Sequence, residues 1–212
     1  MLLNKKSVEL LAPAGNWETL VAAIDAGADA IYLGGKHFNM RMLKSDANFD
    51  NEMLKKAVEY ASAWATWNNP KYIAVEGNDC TNFVSQCWNY AGIPRNPNWN
   101  VSFVPGATTR SWTFVDDFAE YMTNTSANDT EDGLSIAVMK WDSNEVTVGD
   151  IIQFYSEEHD GWYHSVIISK IDPVYGICYA AHTKQHLQRP LSDVYPNGGV
   201  TEVRFICPRY VE

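Results

Sequence analysis

This chain of 212 residues has few positive charges, few cysteines and no long apolar run. Its 16 Lys and Arg stand against 26 Asp and Glu, a formal net charge of -10. Phosphate backbones are bound by clustered cations, so a nucleic-acid partner is not expected, and neutral or cationic substrates suit the surface better. Four cysteines, irregularly spaced and without a CxxC pair, are too sparse for a disulfide framework or a zinc site. The expectation is free thiols, one of them reactive. The first residues lack the apolar core of a signal peptide and no later segment is long enough to span a bilayer. As written, the sequence suggests a soluble cytoplasmic protein without membrane contact. No GxGxxG or GK[ST] phosphate loop is present, and Gly34-Gly35 reads as a plain turn.

What is abundant is apolar and aromatic: 46% hydrophobic residues, 13% Phe, Trp and Tyr. That suffices for a packed core. The style changes near residue 61. Small residues dominate before it, whereas seven of the eight tryptophans come after it. Two domains are therefore expected, 1–60 and 61–212.

The first has a βαβ rhythm. Val8 to Leu11 suits a buried strand, and Asn16 can cap a helix with Leu20, Ala23 and Ile24 on one face. Gly27 would stop that helix, and Ala30 to Leu33 would form a second, parallel strand. The segments Glu9–Asn16 and Gly27–Gly35 resemble the start of the collagenase-like unassigned peptidase family. The resemblance implies a fragment of a TIM-like barrel, about two βα units, which cannot close a barrel by itself. Its strand edges then need cover from the rest of the chain or from self-association. From Asn51 to about Trp67 the stripe Leu54, Ala57, Val58, Ala61, Trp64, Ala65 predicts one continuous helix crossing the boundary.

The second domain reads as α+β. Helices are expected after Asn78-Asp79 and around Phe114 to Met122. Strands are expected at Ile151–Tyr155, His164–Ile171, Ile177–His182 and Val203–Cys207. Thr123 to Gly133 reads as a surface loop. Asn78 or Asp79 as N-cap puts Cys80 in the first turn of a helix that Gly92 can stop. There the helix dipole and unpaired backbone N–H groups favour a thiolate. A small buried residue of the apolar face is the alternative, and for Cys87 it is the preferred reading. His164 opens an apolar strand, held by a rigid element yet open at one end, as a catalytic imidazole requires. A hairpin turn over Asp172 to Gly176 brings the next strand back antiparallel. Residue parity then sets His182 beside His164, where it could fix the ring as the third member of a triad. His182 and His186 have i, i+4 spacing, but on strand and loop such residues do not converge on a metal.

Gly77–Gln86, Arg110-Ser111-Trp112, Gly149-Asp150, His164–Ile167 and His182-Thr183 together resemble the papain-like amidases of NlpC and CHAP type, and more closely the family called putative amidase domain. The resemblance implies a helix-borne cysteine packed on an antiparallel sheet, with Cys80 as nucleophile, His164 as base and His182 as orienter. It implies no cofactor, a peptide or peptidoglycan amide as substrate, and an extracellular or cell-wall role. Trp112, Trp162 and Trp99 are candidates for lining the groove. The rival expectation is a non-catalytic binding module on the same scaffold.

Overall fold

The computed structural model describes residues 11–14, 26, 30–33, 51–75, 77, 79–123, 134 and 136–209. Two compact units partition the chain: Met1–Asp46 with Tyr210–Glu212, and Ala47–Arg209. In the first, strands β1 (Leu11–Ala14) and β2 (Ala30–Leu33) pair in parallel, Leu11 opposite Ala30. β2 lies where its apolar run predicts, and the pairing is the expected parallel one. Leu11 of the expected strand Val8–Leu11 lies in β1, whereas residues 8–10 and the expected helix between the strands lie outside the described residues.

The second unit begins ahead of the composition change at residue 61, because helix α1 (Asn51–Trp64) belongs to it. The helix is unbroken through Ser62. It ends at Trp64, three residues short of the expected Trp67, with Ala65 N–H still bonding Ala61 O. Leu54, Ala57, Tyr60 and Ala61 are its buried stripe. Helix α2 (Asp79–Ala91) lies against α1 and stops at Gly92, whose φ of +125° few other residues adopt. Two further helices follow, α3 (Arg110–Thr113) and α4 (Val115–Thr123). The expected loop from 123 to 133 lies almost wholly outside the described residues.

The remaining strands are β3 (Ala137–Lys140), β4 (Ile151–Ser156), β5 (Gly161–Asp172), β6 (Gly176–Ala181), β7 (His186–Pro190) and β8 (Glu202–Pro208). They form one antiparallel sheet in the order β3-β8-β4-β5-β6-β7. The unit is thus α+β. Register sorts the sheet into rows. Ile206, Ile151, Ile167 and Ala180 lie side by side on the face that packs on α2 through Phe83, Val84, Cys87 and Trp88. Phe205, Ile152 and Val166 form the next row on the opposite face, covered by Leu191, Val194 and Val200. Each such side chain withdrawn from water contributes roughly 1.5–3 kcal/mol, so the α2–sheet interface stabilises the ground under the site. Trp88, fully buried, also donates its Nε1–H to Gly149 O at 3.1 Å. Gly149 has φ +92°, and a Cβ there would come within 2.7 Å of the Leu54 side chain, so both backbone and space demand glycine. No described helix is long and apolar enough to cross a membrane.

Candidate active site

Cys80 sits in the first turn of α2, as its cap signals predict, and is 5% exposed. Its sulfur accepts the backbone N–H of Ser165, the residue that follows His164 on β5. Cys80 and His164 line one cavity of about 680 Å³. The sequence expectation of a thiolate is corrected. Burial, the larger effect, raises the Cys80 thiol above its ordinary range, and the hydrogen bonds from Ser165 and Thr81 offset this only in part. The helix start therefore presents a neutral thiol.

His164 is neutral as well. Burial first, then the positive fields of His186, Lys184 and His159, lower its imidazole from 6.5 to about 4. Its ring packs 5.7 Å from Phe154 and lies nearly parallel to Tyr163 at 6.1 Å. No described residue hydrogen-bonds it, so packing orients the ring.

The expected pairing of His182 with His164 is not what the ladder gives. Near the hairpin Asp172 faces Gly176 and Lys170 faces Cys178, but Ile168 faces Tyr179 and Ile167 faces Ala180. Ser169 is the extra residue of a β-bulge, and one extra residue exchanges the faces of all that follow. Continued past Ala180, the register sets His182 opposite Ser165, not His164. His182 is 2% exposed, stacked on Phe83 at 4.0 Å, with Nδ1 on Asp79 Oδ2 at 2.5 Å and Nε2 on Trp64 O at 2.7 Å. Asp79 Oδ1 also accepts from Val75 N–H and from Asn82 Nδ2. Burial alone would raise the Asp79 carboxyl, yet the bonds from His182, Val75 and Asn82 outweigh it and hold it low. Asp79 is therefore the first helical residue and an anchor rather than the expected cap, and Asn78 lies outside the described residues.

Beneath the cysteine runs a buried polar row that sequence reading missed. Arg204, Gln153 and Ser165 are register neighbours on β8, β4 and β5. Arg204 Nε donates to Gln153 Oε1 at 2.8 Å, and Gln153 Nε2 donates to Val115 O at 2.7 Å and to Ser165 Oγ at 3.2 Å. Ser165 Oγ meets Thr81 Oγ1 at 3.0 Å, which lies 3.8 Å from the Cys80 sulfur. The available signal was a polar residue set within each apolar strand, Gln153 in β4, Ser165 in β5 and Arg204 in β8.

Of the tryptophans expected in the groove, Trp162 lines the cavity, with the Arg204 guanidinium 4.2 Å from its ring. Trp112 and Trp99 do not. Both are fully buried, 4.4 Å apart, and Trp112 Nε1 donates to Asn82 Oδ1 at 2.7 Å. They are core because α3 turns that face inward, beneath Ser85, whose hydroxyl bonds Trp112 O. All four cysteines are free and buried. Among the described residues no three His, Cys, Asp or Glu are grouped to hold a metal. His186 goes to Arg189 at 3.1 Å, away from the partners of His182.

A helix-borne cysteine and a strand-borne histidine thus open on one cavity. The chain belongs to the family described as putative amidase domain, which matches residues 51–206. Residues 15–69 match peptidase family U32. Among curated relatives, a collagenase of Porphyromonas gingivalis is 46% identical over 57 residues, 27% of this chain and 14% of that protein. A "tRNA hydroxylation protein P" of Helicobacter pylori is 40% identical over 70 residues, 33% and 16% of the two chains. The uncharacterized protein YhbB of Bacillus subtilis is 32% identical over 119 residues, 53% of this chain and 35% of its own. The chain thus spans about a seventh of the first relative's length and about a third of YhbB's. No solved structure matches.

Proposed function

We propose that the chain is a cysteine amidase with Cys80 as nucleophile and His164 as base. The observation that carries the reading is the cavity lined by both residues, with the sulfur tied to the strand of His164 through the Ser165 N–H. In the free enzyme the two groups are a neutral thiol and a neutral imidazole lining one cavity. His164 takes the Cys80 proton as the sulfur attacks the amide carbonyl. The developing oxyanion is stabilised by unpaired backbone N–H groups at the start of α2. The amine leaves with the proton from His164, and water, deprotonated by the same ring, releases the acid from the Cys80 thioester. A papain-like relation to NlpC- and CHAP-type enzymes, a peptide or peptidoglycan amide as substrate, and a role at the cell wall belong to the same proposal. Asp79 and His182 enter it as the clamp that fixes the nucleophile's helix.

The test is hydrolysis of muropeptides and cell-wall fragments by wild-type protein, Cys80→Ala and His164→Ala, with the covalent acyl adduct sought by mass spectrometry. Turnover with an adduct on Cys80 supports the reading. Undiminished turnover by Cys80→Ala, or no turnover by any form, overturns it in favour of a binding module.

A further inference from the structure

The cavity is electrically uneven. On the side of α3 and α4 its charges are answered. Arg110 forms a two-pronged bond with Asp117 at 2.8 and 2.9 Å, and Asp116 meets Arg204 at 2.6 Å. On the side of β5 to β7 the lining includes His159, His164, Lys184, His186 and Arg189. Among the described residues no carboxylate pairs with Lys184. Arg189 reaches Asp193 only loosely, at 3.5 Å, well beyond the ~2.8 Å of a charge-assisted bond. Arg189 also bonds the Tyr179 hydroxyl, a neutral partner, and His186 Nε2, which must accept there because a guanidinium only donates. The third lining carboxylate, Glu158, is exposed and raises Tyr163 rather than stabilising a charge on His164.

The turn that carries Lys184 is also built with care. His182, before it, is locked between Asp79 and Trp64, and His186, after it, opens β7. Between them Thr183 lines the cavity at φ +74°, a conformation rare for a β-branched residue and characteristic of ligand clamps when it occurs. Lys184, itself exposed, thus stands at the cavity wall on a turn anchored at His182.

We propose that this end of the cavity receives a carboxylate of the substrate beside the amide to be cut, held by Lys184 and Arg189. The substrate class is then an acidic peptide, in contrast to the neutral or cationic one suggested by the chain's charge. A single carboxylate fits better than a polyanion, since two cations, Arg189 of them partly shared with Asp193, leave little excess, and the protein's -10 charge disfavours a large anion. The proposal rests on the amidase reading for the place of the amide. A bound carboxylate would offset the cations that depress His164 and so strengthen the base on substrate binding.

The probes are N-acetylglycine and its neutral counterpart N-acetylglycinamide, titrated into Cys80→Ala protein and followed by NMR of the His164 ring. The acid is expected to bind at least about tenfold tighter than the amide and to move the His164 titration upward. Lys184→Met should reduce the preference by about fivefold or more, and Lys184→Arg should keep it. Equal binding of the two probes, or a preference untouched by Lys184→Met, overturns the proposal. Neither readout needs turnover. A retained preference without hydrolysis by wild-type protein would sink the amidase reading alone, and hydrolysis without the preference would sink this one alone.

Discussion

Asp79 Oδ2 and His182 Nδ1 lie 2.5 Å apart, one residue ahead of the proposed nucleophile. Trp64 O can only accept, so His182 Nε2 carries a proton. Nδ1 faces the Asp79 carboxyl, which the bonds from His182, Val75 and Asn82 hold below its ordinary range against burial. The pair joins the end of α1, the start of α2 and the end of β6 through these two buried bonds.

Removing either partner leaves a buried group uncompensated, which costs about 3–5 kcal/mol. Asp79→Asn and His182→Gln should each lower Tm by several degrees. The double variant should cost less than the sum of the two, a coupling that a thermodynamic cycle would measure. Additive losses would mean that the pair is not a unit.

The same pair fixes an acid dependence. A carboxylate depressed in the folded state contributes fully above its unfolded value of about 3.9 and loses that contribution as pH falls through the lower folded value. The Tm gap between wild type and Asp79→Asn should therefore narrow below about pH 4. A gap constant down to pH 2 would contradict the assignment.

His164 gives a rate prediction with the opposite habit. Because its imidazole is held near 4, it stays a competent base where an ordinary histidine is protonated. The acid limb of kcat/KM should fall near pH 4 to 5 rather than 6.5. Its depression also makes folding stability rise with pH between about 4 and 6.5, since only the unfolded ring binds a proton there. A kcat/KM limb at 6.5 or above would assign the limb to another group.

The buried row under the sulfur should matter to both stability and pose. Gln153→Leu takes a partner from Arg204 Nε, Val115 O and the Ser165 hydroxyl at once, the last keeping Thr81, with an expected loss of about 2–4 kcal/mol. Gln153→Glu keeps the acceptor for Arg204 and should be milder. Chemical denaturation of the two variants decides this.

How far the sequence could be read turns on Ser169. Periodicity located α2, α4, β4, β5, β6 and β8, because long apolar runs with capped ends have few alternatives. It set Cys80 in a helix start and His164 on a strand. Parity then failed for His182, since a bulge is a tertiary accommodation that leaves no mark in an apolar run such as Val166–Ile168. The thiolate expectation failed for a related reason. Dipole and cap are local, whereas the burial that raises Cys80 comes from β5, 85 residues away. Short polar β7 and the four-residue β3 have too little pattern to announce themselves.

Helix Asn51–Trp64 lies inside both matched stretches, 15–69 and 51–206. One run of residues thus satisfies two inherited specifications. Leu54, Ala57, Tyr60 and Ala61 must fill the amidase core, while the same letters remain recognisable as peptidase. Such a segment is a hinge of ancestry rather than of motion. A boundary drawn by composition at residue 61 would sever it and take Leu54 from its seat on Gly149. Any exchange of front halves between relatives should succeed only when the crossover falls ahead of Ala47 or leaves this helix whole.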